Sequence, residues 1–432
     1  MPASSDSTIV AVATPPGQGG IGVVRLSGPA ARAIAQALFQ PSHGGARLRS
    51  HRMVHGTLRD PRQAVAIDAA LVCLMAGPRS FTGEDVVEFH CHGSPAVLQR
   101  VVGCCLALGA RLAERGEFTL RAFLNGRMDL AQAEAVMDLV RARTATAAQV
   151  AAQGVTGALA RSLAPAVEAL TGAIAYLEAT IDFVEEDLPE QAAPQLLGTV
   201  AEAQEAIAAL LRRAAHGALL RDGVRVVLAG KPNVGKSSLL NAILRRDRAI
   251  VTAIAGTTRD TLEEAADIHG LPMFLVDTAG LAETGDPVER LGIARSTAAV
   301  RDAGIVALVV DAGAQPDAAD HQAVTAVRAA APTTPLLLLL NKCDLPAHLP
   351  AARFDSLFAS RVPPAATIAC SAVNGEGLAA LEDALAALAL GGEALDAEAT
   401  VVENARQRHA LEEALAALAV AAEGLREGRA AE

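Results

Sequence analysis

The stretch GKPNVGKS, residues 230–237, fits the pattern G-x-x-x-x-G-K-[ST] and lies between the apolar run VRVVLA and an amphipathic stretch that opens SLLNAIL. That placement is what the chemistry of such a loop needs. A strand delivers the chain to a glycine-rich turn, whose backbone N–H groups and following helix N-terminus face phosphate oxygens. Lys236 then adds a point charge and Ser237 a hydroxyl for Mg²⁺. The contact stretch runs Asn233, Val234, Gly235, Lys236, Ser237 and Ser238. A loop of this kind requires a largely parallel sheet covered on both faces, and the apolar runs VRVVLAG, MFLVDT, GIVALVVD, PLLLLLN and ATIACSA, separated by amphipathic segments, supply one.

Four further elements follow in order. GTTRD supplies Thr258, whose hydroxyl and backbone suit Mg²⁺ and a γ-phosphate. DTAG spans Asp277, Thr278, Ala279 and Gly280, with Asp277 for the metal shell and the Gly280 amide for the γ-phosphate. NKCD contributes Asn341, Lys342 and Asp344 after an apolar run, and Ser371-Ala372 follows another. The last two elements select the base. Guanine presents two adjacent N–H donors that one carboxylate, Asp344, accepts together, whereas adenine has no such pair. The five elements in register predict a GTPase.

One position breaks the pattern. Leu281 stands where Ras-type enzymes carry the glutamine that orients the attacking water, and a leucine side chain makes no hydrogen bond. Glu289 is the candidate water-positioning group, against a reading as a solvated carboxylate at a helix start. Spacing leaves the charge-neutralising partner open among Arg259, Arg290 and a bound cation.

The remaining chain is organised around this block. With 432 residues, two or three cores are expected. Residues 1–120 alternate β-like and helical stretches, 121–216 are alanine-rich helix, 217–380 form the nucleotide-binding block, and 381–432 return to alanine-rich helix. This predicts a multidomain α/β plus α chain in which a G domain is inserted into a helical domain. The formal charge of -11 argues against a broad nucleic-acid surface but leaves room for a local basic patch. Six cysteines without framework spacing fit a reducing compartment. The N-terminal residues lack the basic start of a signal peptide and no run is long enough to span a membrane, so a soluble cytoplasmic protein is expected.

Three local patterns read as ordinary structure. GQGGIG at 17–22 imitates a dinucleotide fingerprint, but a β-like run follows it, which favours a hairpin loop. HCH at 90–92 would put two histidines on one strand face, without a second ligand cluster. Arg212, Arg213 and the run LRRDR at 244–248 read as solvated charges.

Outside the nucleotide-binding block, TIVAVATPPGQGGIGVVRLSG (8–28), SFTGEDVVEFHCHGSPAVLQR (80–100) and GEFTLRAFLNGRMDLAQAEAVMDL (116–139) resemble the MnmE, or TrmE, family of bacterial tRNA modification GTPases over almost the whole chain. The resemblance implies an N-terminal α+β domain that binds tetrahydrofolate and dimerises, a helical domain, and an inserted Ras-like G domain. It implies a homodimer that works with an FAD-binding MnmG partner in a heterotetramer. Together they place an aminomethyl or carboxymethylaminomethyl group on C5 of the wobble uridine of certain tRNAs, with 5-formyltetrahydrofolate or a relative as one-carbon donor.

For the nucleotide site, the resemblance implies an apolar residue after Asp-x-x-Gly and G domains that meet across the dimer. A K⁺ ion then replaces an arginine finger, with ligands at Asn233, Thr252, Ile254 and Thr257, inside the stretch Thr252, Ala253, Ile254, Ala255, Gly256, Thr257 and Thr258. Glu289 matches the water-orienting glutamate. For folate the matching positions are Arg25, Glu88 and Arg127, the last standing where the family usually has lysine. The family ends in a Cys-Ile-Gly-Lys tail, and this sequence stops at LREGRAAE, so GTP hydrolysis is expected more firmly than tRNA modification. Two other readings compete: a regulatory GTPase of ribosome assembly, opposed by the acidic balance, and a folate-binding scaffold.

Overall fold

The computed structural model describes residues 7–43, 47–182, 192–246, 263–277, 297–359, 362–396, 402 and 404–427. The chain divides into two compact units, Met1–Val136 and Met137–Glu432.

The first unit is a seven-stranded sheet with two helices on one face. Its strands are β1 (Ile9–Val12), β2 (Gly19–Ser27), β3 (Phe39–Pro41), β4 (Arg52–Arg59), β5 (Ala66–Met75), β6 (Val86–Gly93) and β7 (Arg111–Leu112), in the order β3-β4-β5-β6-β2-β1-β7. All pairs are antiparallel except β1 with β7. GQGGIG runs from the β1–β2 connection into β2, so a strand follows it, as a hairpin requires.

Side chains alternate across each strand. Val24 and Leu26, Val72 and Leu74, and Val87, Phe89 and Cys91 turn inward to one core with helices α1 (Ala31–Leu38) and α2 (Pro95–Ala107). Helix α1 contributes Ala31, Ile34, Ala35 and Leu38, the spacing of a single apolar stripe. Odd positions of β2 and even positions of β6 fall on the other face, where Arg25 stands directly opposite Glu88.

Helix α3 (Glu117–Leu124) is fastened to this sheet by charge. Glu117 and Arg121 are 2% and 3% exposed, a burial that charged side chains tolerate when they are paired. Arg121 donates to Glu117 Oε1 at 3.0 Å, to both oxygens of Glu84 at 3.1 and 3.0 Å, and to the Ser7 carbonyl at 2.8 Å. Arg111 donates to both Glu117 oxygens at 2.8 and 2.5 Å, and Ser27 donates to Glu84 at 2.6 Å. The hydrogen bonds from Arg111 are the main reason that the Glu117 carboxyl is held down at about 2. Helix α4 spans Leu130–Arg141.

The second unit combines helices with a six-stranded sheet. The helices α5 (Ala145–Val155), α6 (Ala158–Asp182), α7 (Ala192–Asp222) and α11 (Ala405–Arg426) flank the sheet in sequence, and α7 packs on both α6 and α11. Strands β8 (Val224–Ala229), β9 (Glu263–Ile268), β10 (Leu271–Asp277), β11 (Ile305–Asp311), β12 (Leu336–Asn341) and β13 (Ala366–Ala369) form the order β13-β12-β11-β8-β10-β9. Only β9 runs antiparallel to its neighbour. Helices α8 (Lys236–Arg246), α9 (Ala318–Ala330) and α10 (Leu378–Ala389) and a 3₁₀ segment (Ala351–Phe358) complete it.

Continuous apolar strands make sense here because both sheet faces are covered. Val226 and Leu228 enter a core with Leu239, Ile243, Leu381 and Leu385, while Val227 and Ala229 enter a second core with Val324, Phe354 and Leu357. The first core also takes in Ala147 and Val150 of α5 and Leu220 of α7. At this junction Thr144 caps α5 and donates its hydroxyl to the Gly270 carbonyl at 2.7 Å, and the Arg143 guanidinium lies 4.7 Å from the Phe274 ring centre. Among the described residues no helix is long and apolar enough to cross a membrane.

Candidate functional site

The carboxyl ends of the parallel strands lie along one edge of the second sheet, where α/β sheets place ligands. Leu228 pairs with Asp277, Leu308 with Ala229, and Asp311 with Asn341, so the motif-bearing ends come into register. Residues 230–235 connect β8 to α8 along that edge. Gly230 has φ 141°, and a Cβ there would lie 2.3 Å from the Val309 carbonyl oxygen. Gly235 has φ 95°, and a Cβ there would lie 2.3 Å from Asn341 Nδ2. Only glycine fits either place. Asn233 is left-handed at φ 63°, a conformation asparagine tolerates better than most residues.

Lys236 is 5% exposed, and its ammonium donates to the Gly230 and Lys231 carbonyls at 2.9 Å each. Burial lowers its pKa, and the nearby Asp277 carboxylate opposes that shift. The Ser237 hydroxyl donates to Asp277 Oδ2 at 2.5 Å. A hydroxyl and a carboxylate are the hard oxygen donors that suit Mg²⁺.

Asn341 ties the 230–235 loop to the loop that carries Ala372. Its Nδ2 donates to the Val234 carbonyl at 2.8 Å and its Oδ1 accepts from the Ala372 amide at 3.2 Å. Lys342 donates to the Asn233 carbonyl at 3.1 Å and to Asp311 Oδ2 at 2.6 Å. Burial pushes the Asp311 carboxyl up, but hydrogen bonds from Lys342 and the Gly313 amide outweigh it and leave it below the usual range. Ser371 is fully buried and its hydroxyl accepts from the amides of Val373 and Asn374, while Asp344 faces solvent. Val234, Gly235 and Ser238 belong to the same loop and helix start.

Several residues singled out from sequence lie outside the described residues: Thr252, Ala253, Ile254, Ala255, Gly256, Thr257, Thr258, Arg259, Thr278, Ala279, Gly280, Leu281, Glu289 and Arg290.

The first unit brings together Arg25 and Glu88. Arg25 Nε donates to Glu88 Oε1 at 2.8 Å, and its terminal nitrogen lies 2.7 Å from the same oxygen. The guanidinium is within 5.6 Å of the Phe81 ring centre and 5.7 Å of the Phe118 ring centre. Phe81 also lines an open depression of about 350 Å³ with His51, Met75, Arg79, Ser80 and Arg127. Arg127 Nε donates to the Ser80 carbonyl at 3.1 Å. The two aromatic rings were not legible as site residues, because one phenylalanine in an SFTG turn and one in a helix carry no shared spacing. His90 contacts Glu88 at 3.3 Å and His92 contacts Asp68 at 2.7 Å; among the described residues no group of metal ligands forms.

Sequence reasoning also passed over Lys231, Asp317 and Asp320. Lys231 Nζ lies 2.8 Å from Asp317 Oδ2 and 2.8 Å from Asp320 Oδ2. The two aspartates form a capping box at the start of α9. That box is a readable local signal; its link to the phosphate loop is not.

Comparison with known proteins covers both units. Residues 8–127 match the family model described as GTP-binding protein TrmE N-terminus, and residues 130–432 match the MnmE helical domain. The tRNA modification GTPase MnmE of Chloroflexus aurantiacus is 47% identical over 404 residues, covering 93% of this chain and 86% of that protein. The MnmE proteins of Koribacter versatilis and of Roseiflexus sp. strain RS-1 are 44% and 46% identical at the same coverage.

Proposed function

The chain belongs to the MnmE family of tRNA modification GTPases, and from that premise we propose that it hydrolyses GTP at the 230–237 loop as part of a tRNA modification reaction. The observation that carries the nucleotide assignment is the double hydrogen bond of Asn341, which holds the phosphate loop and the Ala372 loop at one fixed separation. Asp344 follows on the same loop and recognises the guanine donors. Ser238 and the backbone of Asn233 to Gly235 accompany Lys236 at the phosphates.

Ser237 and Asp277 would hold Mg²⁺, directly and through its shell, and the ion would neutralise charge that builds on the phosphate oxygens. Lys236 adds a cation in a site where burial already disfavours its charge, so an anionic partner is strongly favoured there. Thr258 and Gly280 complete the phosphate contacts in this reading. Glu289 orients the water in place of the absent glutamine, and Asn233, Thr252, Ile254 and Thr257 would hold a K⁺ ion, which would add positive charge when two G domains meet.

In the first unit, the reading assigns Arg25, Glu88 and Arg127 to a tetrahydrofolate derivative. Two guanidiniums suit its anionic groups and the carboxylate suits the N–H donors of a pterin. The Arg25–Glu88 pair and the rings of Phe81 and Phe118 near the Arg25 guanidinium support it, since a flat heterocycle stacks on such rings. The chain is then a folate-binding α+β domain over 1–120, a helical domain over 121–216 and 381–432, and a G domain over 217–380. The return of α11 to α7 supports that division. A homodimer, an MnmG-like FAD-binding partner, wobble uridine as target and a cytoplasmic location complete the proposal.

The test is GTP turnover in K⁺ against Na⁺, followed by complementation of a modification-deficient strain with mass spectrometry of wobble uridines. Turnover indifferent to the cation removes the K⁺ mechanism. Unmodified uridines in a strain that expresses an active GTPase remove the tRNA assignment.

A further inference from the structure

Lys231 occupies the second position of the phosphate loop, a position the motif leaves unspecified. Its side chain reaches the start of α9, where its ammonium lies 2.8 Å from each of two carboxylate oxygens. The arrangement is partly buried: the Lys231 side chain is 18% exposed and that of Asp320 is 5% exposed. Asp317 and Asp320 are each committed elsewhere as well. Asp317 Oδ1 accepts from the amides of Ala319 and Asp320, and Asp320 Oδ2 accepts from the amide of Asp317. Among the described residues the remaining oxygen, Asp320 Oδ1, is buried without a hydrogen-bond partner, and Lys231 brings a full positive charge to this buried carboxylate. Burial opposes the Lys231 charge, and the hydrogen bonds it donates to the two aspartates, with their negative charge, more than offset this and raise its pKa.

The same residue takes part in the site through its backbone. Lys236, the phosphate-facing lysine, is hydrogen-bonded to the carbonyls of Gly230 and Lys231. Further along, the loop is fastened by Lys342 at the Asn233 carbonyl and by Asn341 at the Val234 carbonyl. The Lys231 side chain is therefore the fastening at the entry of the loop, and the other two hold its middle.

We propose that Lys231 is a positioning residue for GTP binding and hydrolysis: clamped by Asp317 and Asp320, it fixes the Gly230–Lys231 peptide against α9 and so sets the course of the loop beneath the phosphates. This rests on the reading that the 230–237 loop holds GTP. A preformed loop binds without ordering cost, so loosening its entry weakens phosphate binding before it touches the chemical step.

The test uses the full chain with GDP and GTP as probes. Lys231→Met should weaken both nucleotides about tenfold, the scale of one lost charged hydrogen bond, while turnover at saturating GTP changes less than the apparent KM. Lys231→Arg keeps the charge and should restore most of the affinity. Lys231→Met also strands a buried carboxylate, so a triple variant, Lys231→Met with Asp317→Asn and Asp320→Asn, removes that strain. The triple variant should recover thermal stability yet stay weak for nucleotide. Recovery of affinity together with stability makes the clamp merely structural and overturns the proposal, as does Lys231→Met with unchanged affinity. A wild-type chain that binds neither GDP nor GTP instead overturns the underlying reading of the loop.

Discussion

The Ser237 hydroxyl meets the Asp277 carboxylate at 2.5 Å, so the residue after the phosphate-facing lysine and the last residue of β10 form one polar pair. Ser237 stands in the first turn of α8 and Asp277 at the end of β10, and the parallel pairing of β8 with β10 sets the loop that leads into α8 beside that strand end.

Asp277→Asn keeps the shape of this pair and removes its charge. The Mg²⁺ concentration for half-maximal GTP turnover should rise about 10- to 100-fold, with GDP affinity in the absence of Mg²⁺ little changed. A Mg²⁺ titration of turnover checks it, and an unshifted midpoint removes Asp277 from the metal shell.

Asn341 is 2% exposed and satisfies the Val234 carbonyl and the Ala372 amide at once. Asn341→Ala leaves both groups unpaired, at a cost of about 1–3 kcal/mol for each group that stays buried. We expect a lower melting temperature together with weakened GTP and GDP, measured by calorimetry and nucleotide titration. Normal affinity in a destabilised variant would confine Asn341 to a structural role.

Stability of the first unit should depend on acid through Glu117. Its carboxyl is held down at about 2 in the folded chain against an ordinary 4.5. A depressed folded pKa contributes stability that is fully present above the unfolded value and is lost as pH falls toward the folded one. The contribution is on the order of 3 kcal/mol and disappears between about pH 4.5 and 2. Denaturant melts of the wild type and Glu117→Gln across that window should converge at the acid end. Parallel curves would show that another group governs the acid transition.

At the Arg25–Glu88 pair, Arg25→Ala should weaken 5-formyltetrahydrofolate about 10- to 100-fold, the scale of a charged hydrogen bond, without altering GTP affinity. Calorimetric titration of both ligands checks this. Equal folate affinity in the variant would detach the pair from folate binding.

Much of the second unit's sheet was legible because its signals are local. GIVALVV and PLLLLL are unbroken apolar runs and VRVVLAG is interrupted only by Arg225, and a strand buried on both faces looks like that. The loop 230–237 was equally clear, since its G-x-x-x-x-G-K-[ST] spacing is contiguous and lies between a strand-like and a helix-like run; the structure adds why its glycines are needed, beside Val309 and Asn341. Pairings distant along the chain were hidden. Lys231 and Asp320 are 89 residues apart, and no spacing announces their contact. Arg25 and Glu88 were reached through resemblance; the register that sets them opposite each other depends on how β2 and β6 pair. Glu117 and Arg121 were unreadable for another reason: charged residues usually lie at the surface, and only the assembled lattice with Arg111 and Glu84 shows why these two sit inside.

Ala147, Val150 and Leu220 lie in the same apolar interior as Val226 and Met273, with Thr144 bonded to Gly270 beside them. The nucleotide-binding sheet thus has no clean seam along which to be cut from the helices that precede it. Amide protons of α5 and β10 should exchange with solvent as one cooperative group, and a fragment beginning at Val224 would carry a bare greasy flank where those three side chains had been.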